Sequence, residues 1–332
     1  MRKLLLLLII PVFCISQEKY IKNDYVKIDS RIENDNYVID YLFKDHQSIM
    51  HQIKIILHKV RTDDMIKKFG LPYSIFETFD NSNVDIIKQR QAIIKNGLFL
   101  LDGNKIKKDK KLLIEYYKTS TLQIANYIIE YLKSENNDTR ENRIEMTMKF
   151  VQDIPYAIPK KNKKIYKNGY ITPPEVLIEG YGDCDSKTML FVCIMSYLIP
   201  EHDIVFVSTP GHIFSAIKDP DISNKIESNS HLPQTQQKDD LKKGTYVELN
   251  KKIYFICETA GPGRPNYGQS DKKIKLSYIE KVDLSEIIYL PGECYHSNKM
   301  KYIKDEQRLA FEHHSCYIFN PPTSYEMTAP KN

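Results

Sequence analysis

The run Gly180-Tyr181-Gly182-Asp183-Cys184-Asp185-Ser186-Lys187 constrains this chain more than any other stretch. It passes without a break into the apolar residues 188–198 and stops before Pro200, which predicts a helix that opens at the cysteine. The two glycines permit backbone angles that other residues resist. Asp183 is a good N-cap, and Asp185 puts negative charge where a helix dipole favours it. Cys184 therefore stands in the first turn, at the positive end of that dipole. The dipole and a nearby imidazolium together lower a thiol pKa and make the thiolate a nucleophile. The competing reading is a packed cysteine at a helix start, because free cysteine is among the most buried residue types.

A thiol nucleophile needs an imidazole within hydrogen-bond reach and a third polar group that orients the imidazole. His212 opens an apolar strand, 212–217, just after the turn at 209–211. Glu258 closes the second arm of an expected hairpin, 246–249 and 253–258, that turns at Asn250-Lys251. The order is Cys, His, acid. Asp219 is a rival for the third place, nearer to His212 in sequence but at the head of a polar loop. For the oxyanion, the backbone N–H of Cys184 is one donor, and Tyr181 or Gln152 offers a side-chain donor.

These residues carry a resemblance. The segment 150–156, the run 174–187, Gly211-His212-Ile213-Phe214 and Tyr254-Phe255-Ile256-Cys257-Glu258-Thr259 are similar to the transglutaminase-like superfamily, in particular to its bacterial cysteine-proteinase-like members. The likeness covers roughly residues 141–265. It implies an α+β, papain-like core in which the cysteine helix packs on an antiparallel sheet. It also implies a triad of Cys184 as nucleophile, His212 as general base and Glu258 as orienting acid. The third member in that family is more often aspartate. Crosslinking transglutaminases use tryptophans to keep water from the acyl-enzyme, and this chain has no Trp, so hydrolysis of amide bonds is favoured over transfer. The expectation is a peptidase or amidase acting on a protein or peptide substrate, without a cofactor. The alternatives are a protein-crosslinking transglutaminase and a non-catalytic interaction module of the cell envelope.

The first residues bear on compartment. Arg2 and Lys3 precede the short apolar stretch 4–13, and Cys14-Ile15-Ser16 provides a small-residue exit. This order predicts a signal peptide over 1–16, cleaved near Ser16, and an exported protein, periplasmic or secreted. The residues before Cys14 match a lipidation site poorly. No later stretch reaches transmembrane length. Of the six cysteines, removal of Cys14 leaves an odd number, which flags a free thiol, and Cys184 is the natural one. Cys193 and Cys257 read as packed thiols. Whether Cys294 and Cys316 are bridged stays open.

The net charge of +5 over 332 residues is mild and its lysines are spread out, so a nucleic-acid partner has little support. The lysine-rich residues 160–167 read as a solvated loop. His46, His51 and His58 lack the spacing of a closed zinc site, and His313-His314 with Cys316 lacks a second cysteine pair, so no metal is expected. Asp183 and Asp185 are explained by capping. Lys187 reads as a partner of one of them or as an exposed first-turn lysine.

Four regions are expected: the signal peptide, a mostly helical stretch 17–138, the catalytic core 139–270 and an extension 271–332. In the first half the apolar residues of 38–43 and 49–57 read as helical. Residues 112–132 form the clearest amphipathic helix. Further on, 146–152 reads as a helix, 204–207 and 287–290 as strands, 219–243 as a surface loop and 302–311 as a helical piece.

Overall fold

The computed structural model describes residues 23–76, 84–102, 105–160, 162–199, 203–219, 245–261, 263–269 and 278–282. The chain opens with three antiparallel strands, β1 (Lys27–Glu33), β2 (Asn36–Lys44) and β3 (Met50–His58), in that order in one sheet. Helix α1 (Lys59–Lys68), the short strand β4 (Leu71–Pro72) and a 3-10 turn (Tyr73–Phe76) follow. Then come α2 (Val84–Asn96), the hairpin β5 (Phe99–Asp102) and β6 (Lys105–Lys108), and α3 (Lys110–Tyr117). A second 3-10 turn (Lys118–Thr121) leads into α4 (Leu122–Ser134) and α5 (Arg140–Asp153). After β7 (Ile165–Tyr166), which pairs with β4, come α6 (Pro173–Glu179) and α7 (Cys184–Leu198). The chain then builds a second sheet from β8 (Ile204–Thr209), β9 (His212–Lys218), β10 (Tyr246–Leu249), β11 (Lys252–Cys257) and β12 (Tyr278–Lys281). Its order is β10-β11-β9-β8-β12, and every pair is antiparallel. The fold is α+β.

Helix α7 is the centre. All its residues from Ser186 to Leu198 are buried, and it packs against α3, α4, α5, α6 and β9. A helix that is apolar all round needs such a sleeve. On β8, Ile204 and Phe206 join the core around α7. Their neighbours Val205 and Val207 join a second cluster with Phe214, Ala216, Val247, Tyr254 and Ile256, as the two-residue period of a strand requires. The hairpin of β10 and β11 turns at Asn250 and Lys251, both at positive φ, as expected.

Two segments expected as helices are strands. Residues 38–43 lie in β2 and 49–57 in or beside β3. In β3 the buried residues are His51, Ile53, Ile55 and Leu57, every second one, and Lys54 between them is exposed. That is a period of two, which one-sided burial of a sheet selects over the helical period. Asn34 and Asp35 at positive φ make the tight turn between β1 and β2. The expected long helix 112–132 is divided as well. Ser120 and Thr121 turn their hydroxyls back to the carbonyls of Tyr117 and Lys118, both at 2.7 Å, and the turn tightens to 3-10 there.

The early residues share the core of the later ones. Buried residues of β2, β3, α4, α5, α7 and β8 form one cluster. The Tyr41 hydroxyl donates to the Phe150 carbonyl at 2.7 Å, and the two rings meet edge-on at 4.9 Å. Among the described residues no helix is long and apolar enough to cross a membrane. The expected signal peptide, the loop from 220 to 243, the strand 287–290, the helical piece 302–311, Cys294, Cys316, His313 and His314 lie outside the described residues.

Phe150 is fully buried where the N-terminal sheet meets α5, against both Tyr41 and Phe43. Phe150→Ala is expected to lower unfolding stability by about 3–5 kcal/mol, measured by urea denaturation.

Candidate active site

The site begins with the way α7 starts. Helix α6 is opened by Thr172, whose N–H and hydroxyl both donate to the Glu175 carboxylate at 2.8 and 2.9 Å. It ends at Gly180, which adopts φ 68, a left-handed conformation suited to glycine. The chain then runs beside residues 155–157, with Gly182 N–H donating to the Pro155 carbonyl and Ala157 N–H to the Gly182 carbonyl. Asp183 caps α7 as expected. Its Oδ1 accepts from the Ser186 N–H at 3.0 Å and from the Ser186 hydroxyl at 2.6 Å. Burial pushes the Asp183 carboxyl up, and these bonds oppose that push. Asp185 pairs with Lys108 of β6. Cys184 is thereby held as the first helical residue, a free thiol that is partly exposed, whereas Cys193 and Cys257 are buried.

His212 is brought to the thiol by β9, where it is the first residue. Thr188, one turn after Cys184, donates its hydroxyl to the carbonyl of Ile213 at 3.3 Å and so ties the start of β9 to the start of α7. The imidazole lies beside Phe214, ring centroids 5.7 Å apart. Its Nε2–H donates to Glu258 Oε2 at 2.6 Å. The Cys184 thiol lies beside the ring and acts on its protonation. With Nε2 taken by Glu258, Nδ1 is the nitrogen left for the sulfur. The interaction with Cys184, followed by the bond to Glu258, pushes the imidazole up to about 10, while burial alone would lower it. An imidazole so placed, with Nε2 on a carboxylate and a thiol beside the ring, favours its protonated form.

Glu258 directly follows β11, and the pairing of Cys257 with Ser215 sets it level with the first residues of β9. Its carboxylate is doubly held, with Oε2 on His212 and Oε1 accepting from the Ala260 N–H at 2.9 Å. Asp219 follows the last residue of β9, at the strand's other end. Seven residues of strand put it roughly 23 Å from His212, too far to orient the ring. The structure brings Cys184, His212 and Glu258 together and leaves Asp219 out.

Gln152 does not serve as an oxyanion donor. Its Nε2 gives both protons to carbonyls, of Glu258 at 2.7 Å and of Pro265 at 2.8 Å, so the amide fixes the backbone of the acid and has no donor left for a substrate. The same face of α5 holds the loop behind the acid. Lys149 Nζ donates to the carbonyls of Arg264 and Pro265, both at 2.9 Å, and to Asn266 Oδ1 at 2.8 Å. Burial pushes that ammonium down to about 8. Tyr181 sits between the two glycines, with its ring partly packed into the core. Burial raises its phenol, and Glu179 and Glu175 add to the rise.

Lys187 departs from its expected place. It neither pairs with Asp183 or Asp185 nor meets solvent. It is fully buried, and its Nζ donates to the carbonyls of Ile154 at 2.5 Å, Ala260 at 2.7 Å and Gln152 at 3.2 Å. The sequence signal was its position three residues after Cys184, at the head of an otherwise apolar helix. The histidines of the first half also differ from a helical reading. His51 lies on β3, buried between Asp45 at 3.1 Å and the Tyr127 hydroxyl at 2.9 Å, and the His58 ring accepts the Arg61 N–H at the start of α1. The solvated-loop reading of residues 160–167 fits Lys163 and Lys164, which are exposed, but Lys167 is anchored to Glu175 at 2.6 Å.

Compared with known proteins, the chain matches no family model, no curated protein and no solved structure.

The raised His212 means that the folded protein holds a proton there which the unfolded chain releases near 6.5. The stability it contributes is fully present below about 6.5 and is lost as pH rises through about 10. The difference in unfolding free energy between the native protein and His212→Gln is therefore expected to shrink steadily across that window in denaturation at successive pH values. By NMR, Cys184→Ala is expected to move the imidazole's titration midpoint downward, because the interaction with Cys184 is the largest cause of the rise.

Proposed function

We propose that this chain is a thiol enzyme that acts on amide bonds of a protein or peptide substrate, with hydrolysis as the outcome. The observation that carries the reading is the juxtaposition of Cys184, the His212 ring and Glu258 at the partly exposed start of a buried helix. The order and setting of these residues support a transglutaminase-like protein with a papain-like core, and Arg2-Lys3 before the apolar stretch 4–13 supports export after loss of residues 1–16.

In this mechanism the thiolate of Cys184 attacks the carbonyl carbon of the amide, and the carbonyl π electrons move onto oxygen. The N–H of Cys184, at the head of α7, is the backbone donor we assign to that oxygen. Tyr181 is the side-chain donor we assign beside it. The imidazolium of His212 passes its proton to the leaving nitrogen as the C–N bond breaks, which leaves a thioester on Cys184 and a neutral imidazole. That imidazole next takes a proton from water, whose oxygen attacks the thioester. The carbon–sulfur bond breaks, the acid leaves and the thiolate–imidazolium pair is restored. Glu258 keeps Nε2–H engaged throughout, so Nδ1 always faces the sulfur. Without tryptophan to roof the thioester, water is the acceptor we favour over an amine.

The test is labelling with iodoacetamide across pH, joined to cleavage of a peptide library. Cys184 is expected to react well below pH 8 and to lose that reactivity in His212→Ala. Cys184→Ala is expected to abolish cleavage, and His212→Ala to lower kcat/KM by about 10²- to 10⁴-fold. Products ending in a free carboxylate in the presence of added amine support hydrolysis, and amine-capped products support transfer. A Cys184 that labels as an ordinary thiol, unaffected by His212→Ala, would sink the enzyme reading and leave a binding module.

A further inference from the structure

The buried ammonium of Lys187 closes a ring around the triad. Lys187 stands three residues after Cys184, one turn up the same helix. Its Nζ donates to the Ala260 carbonyl at 2.7 Å, and the Ala260 N–H donates to Glu258 Oε1 at 2.9 Å. Glu258 Oε2 accepts from His212, and the His212 ring meets Cys184. From imidazole to carboxylate to Ala260 to ammonium each link is a hydrogen bond, and the circuit returns through one turn of α7 to the thiol beside the ring.

The remaining donors of Lys187 go to Ile154 and Gln152, the carbonyls that end α5. Those carbonyls are the negative end of a helix, which a cation complements. The ammonium thus pins the end of α5 and the turn after β11 to the head of the nucleophile's helix. The charged groups acting on it are Asp153 of α5 and Glu258, both favouring the charged form, and burial works against them, pushing Lys187 down to about 7. An isolated cation in such a place costs several kcal/mol, so a burial of this kind is sustained only by well-placed acceptors.

The local sequence makes room for the side chain. A Cβ on Gly182 would meet Lys187 Cγ at 3.2 Å, with Ser186 Cβ and Val176 Cγ2 at 3.3 Å. The glycine before the capping aspartate thus leaves a channel for the lysine stem.

We infer that Lys187 is a positioning residue of the triad, which sets the Glu258 carboxylate against His212 and so maintains the reactive Cys184 thiolate. The inference rests on the proposed thiol chemistry. An ordinary buried lysine would support the fold alone. A positioning lysine also changes the ionisation of a cysteine it does not touch.

The experiment compares the native protein with Lys187→Met and Lys187→Gln, the second keeping two N–H donors without the charge. Iodoacetamide labelling of Cys184 is followed across pH, with thermal unfolding measured in parallel. Loss of the cation and slackening of Glu258 both disfavour the thiolate, so the labelling midpoint is expected to rise by about one pH unit or more in any folded variant. The kcat/KM for peptide cleavage is expected to fall with KM little changed. A folded variant with a lowered melting temperature but an unmoved midpoint overturns the inference, because the lysine then serves packing alone. Loss of the fold in both variants overturns it too, since the ammonium is then required by the whole core. A native Cys184 with an ordinary thiol midpoint overturns the parent reading instead, so the two failures are distinguishable.

Discussion

A helix sheathed along its whole length has one place to meet water, and in α7 that place is the first turn. Everything from Ser186 to Leu198 is buried, so the polar groups at the helix head must be answered locally or left wet. Asp183 answers with a side-chain cap, Asp185 with an ion pair to Lys108, and Lys187 with carbonyl acceptors from two other segments. Cys184 is left partly exposed between them. The same turn that needs capping also sets the thiol at the positive end of the helix dipole.

Helix α5 has a parallel task for the acid. Glu145, Lys149 and Gln152 recur at helical spacing on one face and hold the loop 264–267 and the backbone of Glu258. At the end of the same helix, Asp153 accepts from Asn23 and Tyr25 at 3.0 Å and from the Lys44 N–H at 3.1 Å. The early strands are therefore joined by hydrogen bonds to the element that sets the acid's position. Their part in the site is indirect: they add no group to the Cys184–His212–Glu258 cluster, and they fix the helix that holds the backbone of Glu258. Buried polar groups of this kind specify one arrangement because each lost partner leaves a costly unsatisfied group.

Local signals were legible in the chain where they were self-contained. The glycine approach, the Asp183 cap, α5 and the 250–251 hairpin all follow from neighbours within a few residues. The first half was harder. The segments 38–43 and 49–57 hold several adjacent apolar residues, so helical and strand periods both fit. Only the presence of a core on one side of the sheet selects the alternation of His51, Ile53, Ile55 and Leu57. The break between α3 and α4 had a visible signal, three hydroxyl residues in a row at 119–121, which compete with helical backbone bonds.

By itself the sequence determined that a cysteine would open a helix and that a histidine and an acid would follow on strands, because caps, turns and periodicity act over short distances. Tertiary structure decided which acid reaches the ring. Glu258 and Asp219 both offer a carboxylate, but strand register sets the first beside His212 and leaves the second a strand's length away. It also decided that Gln152 spends its amide on the backbone and that Lys187 lies buried among carbonyls. Those outcomes depend on partners more than thirty residues away, and no local pattern encodes where a distant carbonyl will stand.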